Sequence, residues 1–257
     1  MTGTAAFGWA DRLKAGAIHL GISVVLAAAA ASLVFGLWYP YPYHESTGGR
    51  ELFTILVIVD VILGPLITLA VFNRAKPRAE LVKDMTLVGL VQLAGLLYGL
   101  WVVLVARPVH LVFEFDHFRV VRAIDVPDDL LGQTPKGLRR LPLTGPTPLA
   151  VRPFKDVTEE VTATFMAQQG LPLSTRPDMW QDYAQARQRV LATAKPLAEL
   201  RQRDAQHQSD VDAAVGRSGR SLQQLVYLPM ITRKSAWTVL LDAESAEIRG
   251  YLSLDPQ

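Results

Sequence analysis

The stretch LFTILVIVDVILGPLITLAVF, residues 52–72, decides the fold of this 257-residue chain. A helix needs roughly 20 apolar residues to cross about 30 Å of hydrocarbon, and this stretch has that length. It nevertheless carries an acid, Asp60, near its middle. Because a carboxylate at the centre of a membrane helix opposes insertion by about 2.5 to 3.5 kcal/mol, we predict a transmembrane helix whose Asp60 faces protein or a wet cavity.

Pro65 predicts an irregularity in the same helix. A proline removes one backbone donor and clashes with the carbonyl group four residues earlier, which here belongs to Val61. We therefore expect a kink close to Val61. The acid and the kink fall on neighbouring turns, which makes Asp60, Gly64 and Pro65 candidates for helix packing or for contact with a partner.

Two further apolar runs, at 15–38 and 85–106, are also long enough to span a bilayer. The first run exceeds the roughly 7 to 15 apolar residues of a signal peptide and is followed by no obvious cleavage site, so we interpret it as an uncleaved span. Spans near 15–38, 52–72 and 85–106 predict a membrane domain at residues 1–106.

An aromatic cluster, WYPYPY at residues 38–43, follows the first run. Aromatic side chains with an apolar body and a polar tip collect at membrane interfaces. The two prolines of the cluster prevent the helix from continuing. These residues predict a short loop with an interfacial anchor.

Basic residues predict the orientation of the spans. Two precede the first run and four lie between the second and third runs (Arg74, Lys76, Arg78 and Lys83), whereas Arg50 alone lies between the first and second. Because basic residues that flank spans stay in the cytoplasm, we expect a cytoplasmic amino terminus in a bacterial inner membrane. Residues 107–257 are then periplasmic.

The chain beyond residue 106 mixes strand and helix patterns. Prolines and glycines recur through residues 126–153, where neither the helical nor the strand periodicity persists, which predicts a Pro-rich loop. Residues 216–219 are interpreted as a flexible loop. Strands at both ends of the segment complete one sheet, which is typical of an α+β domain. The predicted elements are a hairpin at 108–121, a helix at 156–169, a helical segment at 177–203 that is broken near Pro196, and strands at 225–231, 237–242 and 248–254.

Small and polar residues in the spans are further candidates for packing or partner contact. Ser23, Ala27 and Ala31 form a stripe that permits close helix approach, although a merely alanine-rich span explains it equally well. At 1.5 Å rise per residue, Asp60 and Tyr98 come to similar depth, which predicts that they pair. By the same count, His19 and Gln92 form a second polar layer nearer the inner boundary.

Several roles remain open for Asp60. It suits a proton relay, an ion site or an attraction to a charged group on a partner's helix. A protonated or hydrogen-bonded acid that fixes helix register is the structural alternative. Because the spans hold no second carboxylate and no lysine beside it, transport is the weaker interpretation.

Composition narrows the possible chemistry. The chain has no cysteine, which excludes disulfides and thiolate chemistry, and its net charge of +2 gives no reason to expect nucleic acid. No catalytic or phosphate-binding motif is present. His110 and His117 lack a third ligand, so we predict no metal site. Without such motifs we also predict no cofactor and no enzymatic activity.

The order of features resembles the type IV pilin accessory proteins of the TfpX/TfpZ-like group. The likeness covers about the first 125 residues and resumes at the end of the chain, whereas residues 126–219 add nothing to it. The motifs that carry it are Trp38-Tyr39-Pro40, Gly48-Gly49, Asp60, Gly64-Pro65-Leu66, Thr68-Leu69, Ala106-Arg107-Pro108-Val109, Phe113-Glu114, Phe118-Arg119-Val120-Val121, Thr238-Val239-Leu240-Leu241-Asp242 and Leu254-Asp255-Pro256.

The resemblance implies an inner-membrane chaperone or assembly factor for a particular type IV pilin. Its partners would be that pilin, membrane lipid and other pilus-assembly proteins. Before assembly, pilins reside in the membrane as one apolar helix with a periplasmic head. A protein with a helix bundle and a periplasmic domain suits contact with both parts. The alternatives are a membrane-anchored periplasmic sensor or ligand-binding protein, and a membrane enzyme or transport component that uses Asp60.

Overall fold

The chain folds into two units, described for residues 8–256 by a computed structural model. The membrane unit contains the chain up to Leu37 together with Gly49–Val105. The sheet unit contains Trp38–Gly48 and the chain from Ala106 onward. The chain thus passes into the sheet unit twice.

Three long apolar helices form the membrane unit, Trp9–Trp38, Gly49–Val71 and Arg78–Val105. Each is long and apolar enough to cross a membrane, which confirms the three predicted helices. Their outer faces expose large apolar side chains, as lipid-facing surfaces do. The first and third helices pack along the second, which therefore lies between them.

The second helix changes its winding around Asp60. Two α-helical segments, Gly49–Val57 and Gly64–Val71, flank a π-helical stretch at Ile58–Leu63. A π-helical turn accommodates an extra residue and is one of the few recognised causes of helix irregularity. The winding therefore changes in the region around Val61, where Pro65 predicts a kink.

One mixed sheet organises the second unit. Its strands are β1 (Pro108–Glu114), β2 (His117–Arg122), β3 (Thr147–Val151), β4 (Trp180–Asp182), β5 (Lys195–Pro196), β6 (Leu225–Ile231), β7 (Ala236–Asp242) and β8 (Ile248–Leu252). They follow the order β4-β3-β1-β2-β6-β7-β8, and β5 pairs with β6. β1 and β2 form the predicted hairpin, and β2 joins the carboxy-terminal strands through a parallel pairing with β6. The predicted single α+β sheet is confirmed.

The helices of this unit agree only partly with the prediction. Val157–Gln168 is helical as expected, and the Asp156 carboxylate caps it by accepting a 2.8 Å hydrogen bond from the Glu159 amide. Gln208–Ser218 is helical and ends at Gly219 with a φ of +67°, so the predicted loop at 216–219 is wrong. The loop composition there marks a helix end.

Two other predictions in the middle of the domain are also wrong in part. Residues 126–153 are not all loop, because β3 lies there and pairs in parallel with β1. The helical segment predicted at 177–203 becomes α-helical only at Arg187, whereas its predicted break near Pro196 is confirmed, because β5 separates the helices Arg187–Thr193 and Leu197–Arg203. Trp180 instead pairs with Val151 at the sheet edge, where its side chain is buried. Burial in the sheet outweighs the helical spacing of the apolar residues.

The aromatic segment between the first two membrane helices belongs to the core of the sheet unit. Tyr39 and Tyr43 are buried, and the Tyr43 hydroxyl lies 2.8 Å from that of Tyr251 in β8. The Ser46 carbonyl accepts a 2.6 Å hydrogen bond from the Thr232 hydroxyl. The predicted interfacial anchor is therefore wrong for these two tyrosines, although Tyr41 is exposed.

His110 is fully buried in β1. Its Nε2 lies 2.9 Å from the Arg140 carbonyl, which only accepts, so Nε2 carries the proton. Its Nδ1 then accepts from the Thr147 hydroxyl at 2.7 Å. Burial lowers the pKa of His110 to about 4, and the buried ring is neutral at pH 7. His117 pairs with Glu114 across the turn and not with His110.

His110 predicts a pH-dependent stability. The unfolded chain protonates this histidine below about pH 6.5, whereas the folded chain does so only near pH 4. The free energy of unfolding should therefore fall by about 1.4 kcal/mol per pH unit as the pH drops through this window. Denaturation of the detergent-solubilised protein, followed by tryptophan fluorescence between pH 7.5 and 4.5, measures the slope.

In this experiment His110→Gln should flatten the slope relative to the wild type, whatever its effect on absolute stability. His207→Gln is the matched control, because 42% of the His207 side chain is exposed. Equal slopes for the wild type and His110→Gln would show that His110 does not control the pH dependence.

Candidate functional site

A groove runs between the first and third membrane helices, with the second helix as its floor. Its volume is about 480 Å³, and most of its lining side chains are apolar. Five of the lining residues carry polar side chains, namely His19, Ser23, Asp60, Thr68 and Gln92. The groove is thus mostly apolar, with Asp60 and Thr68 on its floor and the other three polar side chains on its walls.

Asp60 is held by the third helix. The Gln92 amide donates to the Asp60 carboxylate at 2.5 Å and also reaches the Val59 carbonyl at 3.4 Å. Only 5% of Asp60 is exposed, which agrees with the expectation that it faces protein. A hydrogen-bonded partner is what a polar group in hydrocarbon requires.

The predicted pairing of Asp60 with Tyr98 is wrong. Tyr98 is 66% exposed, and its ring lies beside Trp101 at a centroid distance of 5.8 Å. Depth alone does not determine the face of a helix, and Gln92 and Tyr98 differ by six residues, or about 240° of rotation. Gln92 therefore faces the second helix, whereas Tyr98 does not.

A second polar contact joins the first helix to the second. His19 Nδ1 lies 2.5 Å from the Thr68 hydroxyl. The predicted layer of His19 with Gln92 is wrong. His19 bonds to Thr68 and Gln92 bonds to Asp60, and these two partners lie about two turns apart on the second helix. Thr68 was not among the predicted site residues, although its position about two turns beyond Asp60 in an otherwise apolar stretch is a usable signal.

Small residues let the helices approach closely. A Cβ atom on Gly64 would lie 2.9 Å from the Gln92 side chain, and one on Gly16 would lie 2.8 Å from Leu69. Pro65, next to Gly64, is buried as well. On the first helix Ser23 is buried, whereas Ala27 and Ala31, further along the same stripe, are half-buried.

The GxxxG pattern of the third helix divides between two environments. A Cβ atom on Gly99 would lie 3.0 Å from Leu56 of the second helix. A Cβ atom on Gly95 would have no neighbour within 4 Å. Only one of the two glycines is therefore used for packing, which shows how weakly this pattern specifies a contact.

The arrangement of the polar side chains in the groove suits hydrogen bonding more than metal binding. Throughout residues 8–256, no three His, Asp or Glu side chains come together as metal ligands do. Asp60 bonds to the Gln92 amide and His19 bonds to the Thr68 hydroxyl, so in both cases the hydrogen-bond partner is an uncharged group. The groove offers an apolar surface and polar groups at fixed depth.

Comparison with known proteins places the chain among relatives of one description. A family model described as fimbrial assembly protein FimB matches residues 7–48. The fimbrial assembly proteins of serogroups E1 and I of Dichelobacter nodosus are each 34% identical over 231 residues, covering 89% of this chain and 90% of the relative. The protein of serogroups C1 and C2 is 38% identical over 120 residues, covering 47% of this chain and 92% of the relative. No solved structure gives a significant match.

Gly64 and Gly95 provide a matched test of the packing. Gly64→Leu should displace the Gln92 side chain from Asp60 and destabilise the protein by about 1 to 3 kcal/mol, as overpacking typically does. Gly95→Leu should have little effect, because its side chain enters open space. Thermal unfolding of both variants in detergent checks this, and equal losses of stability would contradict the packing described here.

Proposed function

Because the chain belongs to the fimbrial assembly protein family and functions in pilus assembly, we propose that it is an accessory protein for one particular type IV pilin. It acts as a chaperone or assembly factor that stabilises the pilin before assembly. The assignment to the TfpX/TfpZ-like group is part of this proposal. Its support is the family, the three membrane helices and the groove between them.

The proposed location is the bacterial inner membrane, with a cytoplasmic amino terminus and a periplasmic sheet unit. The basic segment between the second and third helices supports this orientation. Within it, Arg74 forms a 2.9 Å ion pair with Asp11 near the start of the first helix, and Lys76 pairs with Asp84 at 2.5 Å. These charged groups lie at the same end of the helix bundle.

The groove is the observation that carries the proposal. Lipid already satisfies apolar surface, so helices associate in membranes through close packing and hydrogen bonds. The groove supplies both, since most of its lining is apolar, while Asp60 on its floor and His19 on the first helix are polar. We assign it to the membrane helix of the pilin, with the stripe of Ser23, Ala27 and Ala31 beside it. The sheet unit would contact the pilin head.

The contacts of Asp60 support a non-catalytic role for the groove. Asp60 and Gln92 form a donor–acceptor pair that fixes helix register and leaves the groove open to a partner. A proton relay would use a second titratable group bonded to Asp60, and the observed partner is an amide. The contacts of Asp60 therefore favour the partner-binding role over transport or catalysis.

The level of the pilin tests the proposal in cells. A strain that lacks this protein should contain several-fold less of one pilin by immunoblot, with its transcript unchanged, and the wild-type gene should restore the level. Gly64→Leu should restore it less well than Gly95→Leu, because only the former alters the groove floor. Normal pilin and normal pili in the deletion strain would overturn the proposal.

Photocrosslinking tests the groove directly. A photoreactive residue at Ile22 or Leu93, both of which line the groove, should capture the pilin in membranes. The same residue at Leu90 is the control, because Leu90 is 60% exposed but does not line the groove. Equal capture from positions 90 and 93, or capture from neither groove position, would remove the groove from the proposal.

A further inference from the structure

The sheet unit contains a polar cleft of its own. Its volume is about 320 Å³, and it lies between β2, the loop that follows Gly170 and the turn after β6. Three arginines line it, Arg119 and Arg122 from β2 and Arg233 from the turn. The only acidic residue among its lining residues is Asp125.

The arginines differ in how far their charges are neutralised. Arg122 holds Asp125 with hydrogen bonds of 2.6 and 2.8 Å, and Arg119 donates to the buried Glu114 at 3.2 Å. Within the described part of the chain, no carboxylate lies within ion-pair distance of Arg233. The cleft therefore keeps one uncompensated positive charge, at Arg233.

The buried Tyr39 does not supply the missing negative charge. Burial raises the pKa of this phenol, although Arg122, Arg107 and Arg233 are all close enough to act against the shift. The hydroxyl consequently stays neutral at physiological pH. Arg122, which is already paired with Asp125, and Arg233, which is not paired with any carboxylate of residues 8–256, thus both approach a neutral hydroxyl.

The hydroxyl groups of the cleft restrict the kind of ligand. Thr47 donates to the Tyr43 carbonyl at 2.6 Å and Thr175 donates to the Pro172 carbonyl at 2.8 Å. With their protons used, both hydroxyls offer only acceptor lone pairs. A ligand that fits brings an anion for Arg233 and can donate hydrogen bonds to the threonine hydroxyls.

A polypeptide acid meets these requirements. Its carboxylate matches the fork of a guanidinium group, and its backbone amides supply donors that a phosphate diester lacks. Val120, Pro172 and Ile231 add apolar contact for the stem of the side chain. We propose that the cleft binds an aspartate or glutamate side chain on a segment of a partner protein. Its assignment to the pilin rests on the proposed function, whereas its preference for a carboxylate does not.

Peptide binding tests the chemistry without the pilin. The probe is a fluorescent tetraglutamate peptide, with tetraglutamine as its uncharged counterpart, titrated into the full-length protein in detergent at low salt. Tetraglutamate should bind and tetraglutamine should not, and Arg233→Gln should weaken tetraglutamate by about tenfold, as loss of a charged hydrogen bond does. Arg139→Gln, which removes an exposed arginine outside the cleft, should bind like the wild type.

Three results would overturn the carboxylate proposal. These are equal binding of the two peptides, unchanged binding by Arg233→Gln, or displacement of tetraglutamate by equimolar inorganic phosphate or by mixed micelles that contain phosphatidylglycerol. The last result would make the cleft a phosphate or lipid site. Thermal unfolding of each variant confirms that the protein tested is folded.

Copurification with the pilin separates this inference from the proposed function. If the wild type and Arg139→Gln retain the pilin and Arg233→Gln retains several-fold less, the cleft contacts the pilin. If all three retain it equally, the cleft is not a pilin site and the proposed function stands. If the wild type retains none, the proposed function fails, and the peptide titration alone decides the carboxylate preference.

Discussion

A carboxylate inside a membrane helix must find a hydrogen-bond donor, and the membrane unit is arranged around that requirement. Gln92 meets it from the third helix at 2.5 Å. The contact needs the two helices to be close, which the absence of a side chain on Gly64 allows. The π-helical stretch at Ile58–Leu63 contains the acid and ends just before Pro65. Charge, close packing and altered winding therefore occur together in one part of the second helix.

The sheet unit depends on a segment that is distant from it in sequence. Residues 38–48 connect two membrane helices, yet their tyrosines are buried in the sheet unit and the Ser46 carbonyl accepts a hydrogen bond from Thr232. The chain enters this unit before the second helix and again after the third. This connectivity ties both ends of the first loop to membrane helices and its middle to a folded core.

The two candidate surfaces present different chemistry. The groove of the membrane unit combines apolar walls with groups that donate and accept hydrogen bonds at fixed depth. The cleft of the sheet unit presents arginines and acceptor hydroxyls. Such surfaces suit a partner that has both an apolar membrane helix and a polar head, which is the architecture of the pilin in the proposed function.

Local patterns in the sequence determined the three membrane helices, the first hairpin and the last three strands, because each depends on apolar periodicity within one segment. The tertiary structure decided which side chain reaches Asp60, since rotation about the helix axis separates Gln92 from Tyr98. It also decided the strand at Thr147–Val151 and the burial of Tyr39 and Tyr43, because partners far along the chain stabilise them. The arginine cleft has no local signature, since Arg122 and Arg233 meet only when β2 pairs with β6.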